Sequence, residues 1–167
     1  MKMHRRKTYC TIVLFMSAYG FMPLPEMPRL FLIGDSTMAD KPLVDNPERG
    51  WGQVFPMFFD RSVTIENHAK NGRSTKSFIK EGRWQNVLDR LRKGDYVFIQ
   101  FGHNDEKKED STRFADPQTD YRNNIVKYVR ETRAKNANPV LLTPVSRRRF
   151  DNEGKAVETH HEYSEVV

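Results

Sequence analysis

Cysteine is all but missing from this chain of 167 residues: Cys10 stands alone. With one thiol near the start, no disulfide framework and no cysteine nucleophile is expected in the folded part. Long apolar runs are also scarce. The only such run, "TYCTIVLFMSAYG", is too short to span a bilayer comfortably. Charge of one sign is lacking too, once its distribution is considered. The formal net charge is +6, but Lys2, Arg5, Arg6 and Lys7 precede residue 20 with no acid among them, which leaves 24 basic against 22 acidic side chains. A nearly balanced remainder excludes the basic footprint of a nucleic-acid binder. Internal repeats and low-complexity tracts are not found, and no His/Asp/Glu/Cys set has metal-ligand spacing.

What is present begins with the first 20 residues. "MKMHRRK" is a positive n-region, the apolar run follows, and Ala18-x-Gly20 gives a small-x-small cleavage site. Residues 1–20 are therefore expected to be a signal peptide cut after Gly20, and the protein secreted or periplasmic. Residues 21–28 form a Pro-rich linker, and 29–167 a single domain.

Along that domain, strands and helices alternate. "RLFLIG" (29–34), "VTIENHA" (63–69), "DYVFIQFG" (95–102) and "PVLLTP" (139–144) read as strands. "WGQVFPMFF" (51–59) reads as a helix despite Pro56. "RWQNVLDRLRKG" (83–94) places Trp84, Val87, Leu88 and Leu91 on one helical face, with Gly94 as its C-cap. Asp116-Pro117 supplies an N-cap and first-turn proline for a helix to about Ala137. Unbroken apolar strands alternating with helices predict a three-layer α/β/α, doubly wound parallel sheet. Ligands bind such sheets beyond the carboxyl ends of the strands.

A polar cluster follows every strand: Gly34-Asp35-Ser36-Thr37, then Asn71-Gly72-Arg73-Ser74, then Gly102-His103-Asn104-Asp105, then Arg147-Arg148-Arg149. Parallel topology puts all four on one edge. Ser36, at a helix start, is either an N-cap or a nucleophile whose oxyanion meets the helix dipole. Gly72 is a turn glycine or a bare N–H donor to that oxyanion, and Asn104 a turn residue or a side-chain donor to it. Donors from three strand ends together favour an enzyme. His103 lies beside Asn104 and is a candidate for shaping the pocket. Arg147, Arg148 and Arg149 are a solvated loop or a site for carboxylates of an acidic polymer, where the guanidinium fork matches the carboxylate.

These clusters resemble the ordered blocks of the SGNH (GDSL-type) hydrolases: "GDST" (34–37), Gly72 in "NGRS" and "GHND" (102–105). The flanks "GDSTMAD", "RGWGQ", "NHAKNGRSTKSF", "GDYVFIQFGHNDEK" and "TPVSRRRF" are most similar to rhamnogalacturonan acetylesterases, over roughly residues 29–165. The resemblance implies a serine esterase that removes acetyl groups from pectin-type polysaccharide. Ser36 would be the nucleophile; the N–H groups of Ser36 and Gly72 and the Asn104 side chain would form the oxyanion hole. It implies no cofactor. The expected partner is an acetylated acidic polysaccharide, with no nucleic acid, no membrane after signal cleavage, and a monomeric state.

The family pattern closes with an Asp-x-x-His block that supplies the general base, and these 167 residues contain no Asp-x-x-His. Glu158-x-x-His161 resembles instead the entry to the next helix. The base, its carboxylate, a last strand and final helices are thus expected to be missing, and the chain alone to be nearly inactive, since a serine without a base is a poor nucleophile. Two rival readings are a non-catalytic carbohydrate-binding remnant and a flavodoxin-like module that holds phosphate at the helix start after Gly34.

Overall fold

The computed structural model describes residues 27–60 and 62–167. The expected signal segment and most of the linker lie outside the described residues. No helix among those described is long and apolar enough to cross a membrane.

Strand β1 (Arg29–Gly34) is the apolar run expected from the sequence, and five of its six residues are buried. Helix α1 (Trp51–Val54) follows, and a 3-10 turn (Phe55–Phe58) continues it. Pro56 sets that boundary: it has no N–H to donate and stands at the start of the 3-10 turn. The single helix expected over 51–59 is therefore two short pieces. Next come β2 (Thr64–Asn67), α2 (Thr75–Lys80) and α3 (Arg83–Leu88).

Helix α2 has no counterpart in the sequence reading, yet it carries a capping box. The Ser77 N–H donates to Ser74 Oγ at 3.2 Å, and the Ser74 N–H donates to Ser77 Oγ at 2.9 Å. Helix α3 stops at Leu88, short of the expected Gly94 cap. Gly94 instead donates its N–H to the Asn136 carbonyl at 3.0 Å, just before β3 (Tyr96–Gln100).

Asp116 does cap its helix, accepting from the N–H groups of Gln118 and Thr119. The first turn, Pro117–Tyr121, is wound as a π-turn, and α4 (Arg122–Ala134) continues from it. Strand β4 (Asn138–Leu141) and a short helical turn, α5 (His161–Ser164), follow.

The four strands pair in parallel in the order β2-β1-β3-β4. Chain order reverses between β1 and β3, which is the switch point where doubly wound sheets open a crevice for ligands. The α/β parallel-sheet class is as expected, but the two faces are covered unequally. Phe31, Ile33, Val97, Ile99 and Phe101 face α2, α3 and α4 in one core with Phe78, Trp84, Val87, Tyr121, Ile125 and Tyr128. Fully burying Phe31, Phe78 or Phe101 is worth about 1.5–3 kcal/mol each.

The buried tyrosines keep their hydroxyls satisfied. Tyr121 donates to the Phe101 carbonyl at 3.1 Å, Tyr128 to Thr75 at 2.9 Å, and Tyr163 to Ala115 at 3.0 Å. These bonds fasten backbone just past the end of β3, at the start of α2, and just before the Asp116 cap. The opposite face is covered by Met38 and the α1 region, where Phe55 packs on Phe98 with ring centroids 5.8 Å apart.

Candidate active site at the strand ends

Ser36 stands two residues beyond β1, in a tight turn rather than at a helix start. The Asp35 carbonyl accepts from Met38 (3.3 Å) and Ala39 (3.0 Å), and no helix begins until Trp51. The capping role falls to Asp35. Its Oδ1 accepts the Thr37 N–H at 2.9 Å and the Thr37 hydroxyl at 2.8 Å. Ser36 is thereby relieved of any capping duty and left half-buried. This turn also removes the basis for a phosphate cradle after Gly34, since no helix supplies the N–H groups.

Gly72 follows β2 in a turn closed by the Arg73 N–H on the Lys70 carbonyl at 3.3 Å. Its φ of +76° is a left-handed value that favours glycine. The turn is stitched to the Ser36 turn. Lys70 donates to the Gly34 carbonyl at 3.0 Å, and buried Lys41 reaches Asn71 Oδ1 at 2.7 Å. Asn67 Nδ2 bonds both the Met38 carbonyl (3.0 Å) and Asp40 (2.7 Å).

Asn104 follows β3 and is buried. One of its amide hydrogens goes to the Arg73 carbonyl at 3.0 Å. Gly102, with φ +147°, makes this turn possible: a Cβ there would lie 2.4 Å from Pro144 Cγ. Gln100, at the end of β3, ties neighbouring elements to it. Its Oε1 accepts from Trp51 Nε1 at 2.7 Å, and its Nε2 donates to Thr143 at 2.9 Å.

The ends of β2, β1 and β3 thus bring Gly72, Ser36 and Asn104 to three adjacent positions on one edge. Among the described residues the backbone N–H of Ser36, that of Gly72 and the Ser36 hydroxyl make no hydrogen bond. The second hydrogen of Asn104 Nδ2 has no acceptor either. Unengaged donors at a switch point suit a developing negative charge.

The remaining sequence candidates sort differently. His103 turns toward β4: its Nε2 donates to the Val145 carbonyl at 2.7 Å, and its ring lies 4.3 Å from that of His160. Arg147 pairs with Glu106, whose other oxygen lies 2.8 Å from His160 Nδ1. Burial raises the Glu106 pKa, but the Arg147 hydrogen bond and the charge of His160 outweigh it and hold the carboxyl below its ordinary value. His160 is shifted down by burial and by His103. This clasp fastens the 147–160 arm to the β3 loop. Arg148 and Arg149 are exposed. His161 is exposed between Glu158 (3.1 Å) and Glu165 (3.0 Å), which raise its pKa, and His68 pairs with Glu66 at 3.2 Å. Each described histidine therefore has a partner other than Ser36.

Two features escaped sequence reasoning. One is the Glu106–His160 pair, which spans 54 residues of chain. The other is Arg113, whose Nη1 lies 3.5 Å from Asn104 Oδ1. No spacing rule marks either, because only the fold brings the loops together.

The fold defines a flavodoxin-like α/β domain, with Ser36 and Asn104 beyond the strand ends that flank its switch point. The chain belongs to the GDSL-like Lipase/Acylhydrolase family, which residues 32–167 match. It is 42% identical over 139 residues to rhamnogalacturonan acetylesterase RhgT of Bacillus subtilis (strain 168), covering 83% of this chain and 58% of that one. It is 40% identical over 90 residues to a rhamnogalacturonan acetylesterase of Emericella nidulans, covering 54% and 34%. Among solved structures it resembles protein YxiM of Bacillus subtilis, with TM-score 0.73 and 25% identity, covering 83% of this chain and 39% of that one. A G-D-S-L family member from Veillonella parvula shares the fold at TM-score 0.54 and 18% identity, covering 82% and 68%. The chain spans a little over half the length of RhgT.

Proposed function

We propose that this chain carries the nucleophile and oxyanion hole of a serine esterase that removes acetyl groups from rhamnogalacturonan, a pectin-type polysaccharide. The observation that carries the reading is the set of unengaged donors at adjacent strand ends: the N–H groups of Ser36 and Gly72 and the free amide hydrogen of Asn104. Ser36 Oγ bonds to the acetyl carbon as its proton passes to solvent, and the carbonyl oxygen takes the negative charge into those donors. The bond from the acetyl carbon to the sugar oxygen then breaks, that oxygen taking up a proton, and water hydrolyses acetyl-Ser36 to acetate and free serine. The names of the relatives supply the substrate class.

The role of general base falls to none of the four described histidines, given their partners. By themselves these 167 residues are expected to work at the residual level that oxyanion hole and binding supply without a complete triad, about 10³–10⁴ over water. Arg148 and Arg149, exposed on the arm, are candidate contacts for the outer polymer, and His103 shapes the pocket wall on the β4 side.

The test is acetate release from acetylated rhamnogalacturonan oligosaccharide. A slow release that Ser36→Ala removes supports the reading. Release at the same rate in Ser36→Ala overturns it. Binding of the oligosaccharide with no Ser36-dependent release identifies a non-catalytic carbohydrate-binding protein instead.

A further inference from the structure

A cavity of about 560 Å³ opens beside Gly72, lined also by Arg73, Ser77, Lys80, Glu81, Asp110, Thr112 and Arg113. Arg113 is the side chain that connects this cavity to the candidate oxyanion hole. Its Nη1 lies 3.5 Å from Asn104 Oδ1 and 3.7 Å from the point where a Cβ on Gly72 would stand. The guanidinium is fixed in advance. Asp110 Oδ2 accepts Arg113 Nε at 2.5 Å, and Asp110 Oδ1 accepts the Thr112 hydroxyl at 2.5 Å and the Thr112 N–H at 3.0 Å. Asp110 is thus engaged within its own loop. Arg113 Nη2 has no acceptor among the described residues, and the side chain is about one-third exposed, at 32%.

A partly exposed, pre-oriented guanidinium edge beside an oxyanion site suits a planar anion carried close to the reacting ester. Lys80 and Arg73 line the same cavity, but Arg73 donates its Nε to Glu81 at 3.0 Å and also its Nη1 to the Asn71 carbonyl at 2.9 Å, and Lys80 has no planar fork. We propose that Arg113 is the specificity residue of this site: it receives the carboxylate of an acidic sugar adjoining the acetylated one, with the cavity as that sugar's subsite. The inference rests on the acetylesterase reading and adds a residue and a subsite to it. It places uronate recognition on the β3 loop, next to the oxyanion donors, rather than on the 147–149 arm.

The test is a calorimetric titration of the full chain with two probes. One is a tetrasaccharide of alternating galacturonate and rhamnose; the other is the same tetrasaccharide with its carboxylates reduced to alcohols. Wild type is expected to bind the acidic form on the order of ten-fold or more tighter, the scale of a charge-assisted hydrogen bond. Arg113→Gln is expected to remove that preference, while Arg130→Ala, at an exposed position of α4, keeps it. Arg113→Lys is expected to keep the charge but lose most of the preference, because an ammonium lacks the planar fork. It also decides the matter if Arg113→Gln does not fold. A preference that survives Arg113→Gln, or that Arg113→Lys keeps in full, overturns the role of Arg113 and leaves the acidic-polymer reading standing. Equal binding of both probes by wild type, or none, overturns the subsite and the acidic substrate together. Acetate release removed by Ser36→Ala is read separately and reports on the esterase alone.

Discussion

Asn104 donates one amide hydrogen to the Arg73 carbonyl at 3.0 Å and keeps the other unengaged. That bond sets the amide between the β3 loop and the glycine turn after β2, so one group both ties the loops and offers a donor. Asn104→Ala removes both. Loss of a single oxyanion donor costs about 10²–10³ in rate. Since the rate expected of this chain comes from the oxyanion hole itself, the substitution is expected to bring p-nitrophenyl acetate hydrolysis down to the solvent background. A rate within two-fold of wild type would remove Asn104 from the site.

The order of the strand-end clusters was legible in the sequence because β1 and β3 are largely apolar runs, one ending at Gly34 and the other followed by Gly102, and parallel pairing then fixes which ends share an edge. Asp116-Pro117 was legible for a similar local reason. Local pattern failed where competing polar groups decide the outcome. Ser36 looked like a helix cap, but Asp35 takes that task and the chain turns back at Ala39. Helix α2 has no long apolar period to reveal it, and its capping box has Ser77 at N3 in place of the Glu or Gln that marks such a box in a sequence. Arg113 and Glu106 find their partners only through loops that meet in space.

Gly102 holds a φ of +147°, and a Cβ there would meet Pro144 at 2.4 Å. Gly102→Ala must strain the backbone and displace the turn that carries Asn104. A cost of about 3 kcal/mol or more is expected from strain and overpacking together. Urea unfolding reads it directly. A loss below about 1 kcal/mol, typical of an ordinary substitution, would mean that the turn adapts freely.

Glu106 is the shared acceptor of Arg147 and His160. Glu106→Ala leaves His160, which is buried, without its Nδ1 partner and releases Arg147. Hydrogen bonds to charged groups are worth roughly 1.5–3 kcal/mol when buried, and partial exposure here lowers the figure to about 1–2. Faster amide exchange is expected at Arg147, whose N–H bonds Thr159 at 2.8 Å, and at Val157, bonded to Arg149 at 3.0 Å. Unchanged exchange at both would show that the clasp does not hold the arm.

Two buried groups give stability opposing dependences on pH. Burial raises Asp105 from 3.8 to about 7, against the Thr75 hydrogen bonds, and the charge of Asp35 adds to the rise. Its Oδ2 has no hydrogen-bond partner. The folded state therefore holds a proton that the unfolded chain has lost. The stability this group contributes is complete below pH 3.8 and lost as pH climbs to about 7. His160 runs the other way. Burial and His103 lower it from 6.5, so its contribution is complete above 6.5 and lost as pH falls toward the folded value. Below pH 6.5 the two slopes cancel in part. Asp105→Asn keeps an acceptor for Thr75 but cannot titrate, so melting temperature is expected to rise more steeply with pH between about 5 and 6.5 than in wild type. His160→Gln is expected to tilt the same window downward. Identical pH profiles for wild type and Asp105→Asn would show that the carboxyl titrates alike in the folded and unfolded chains.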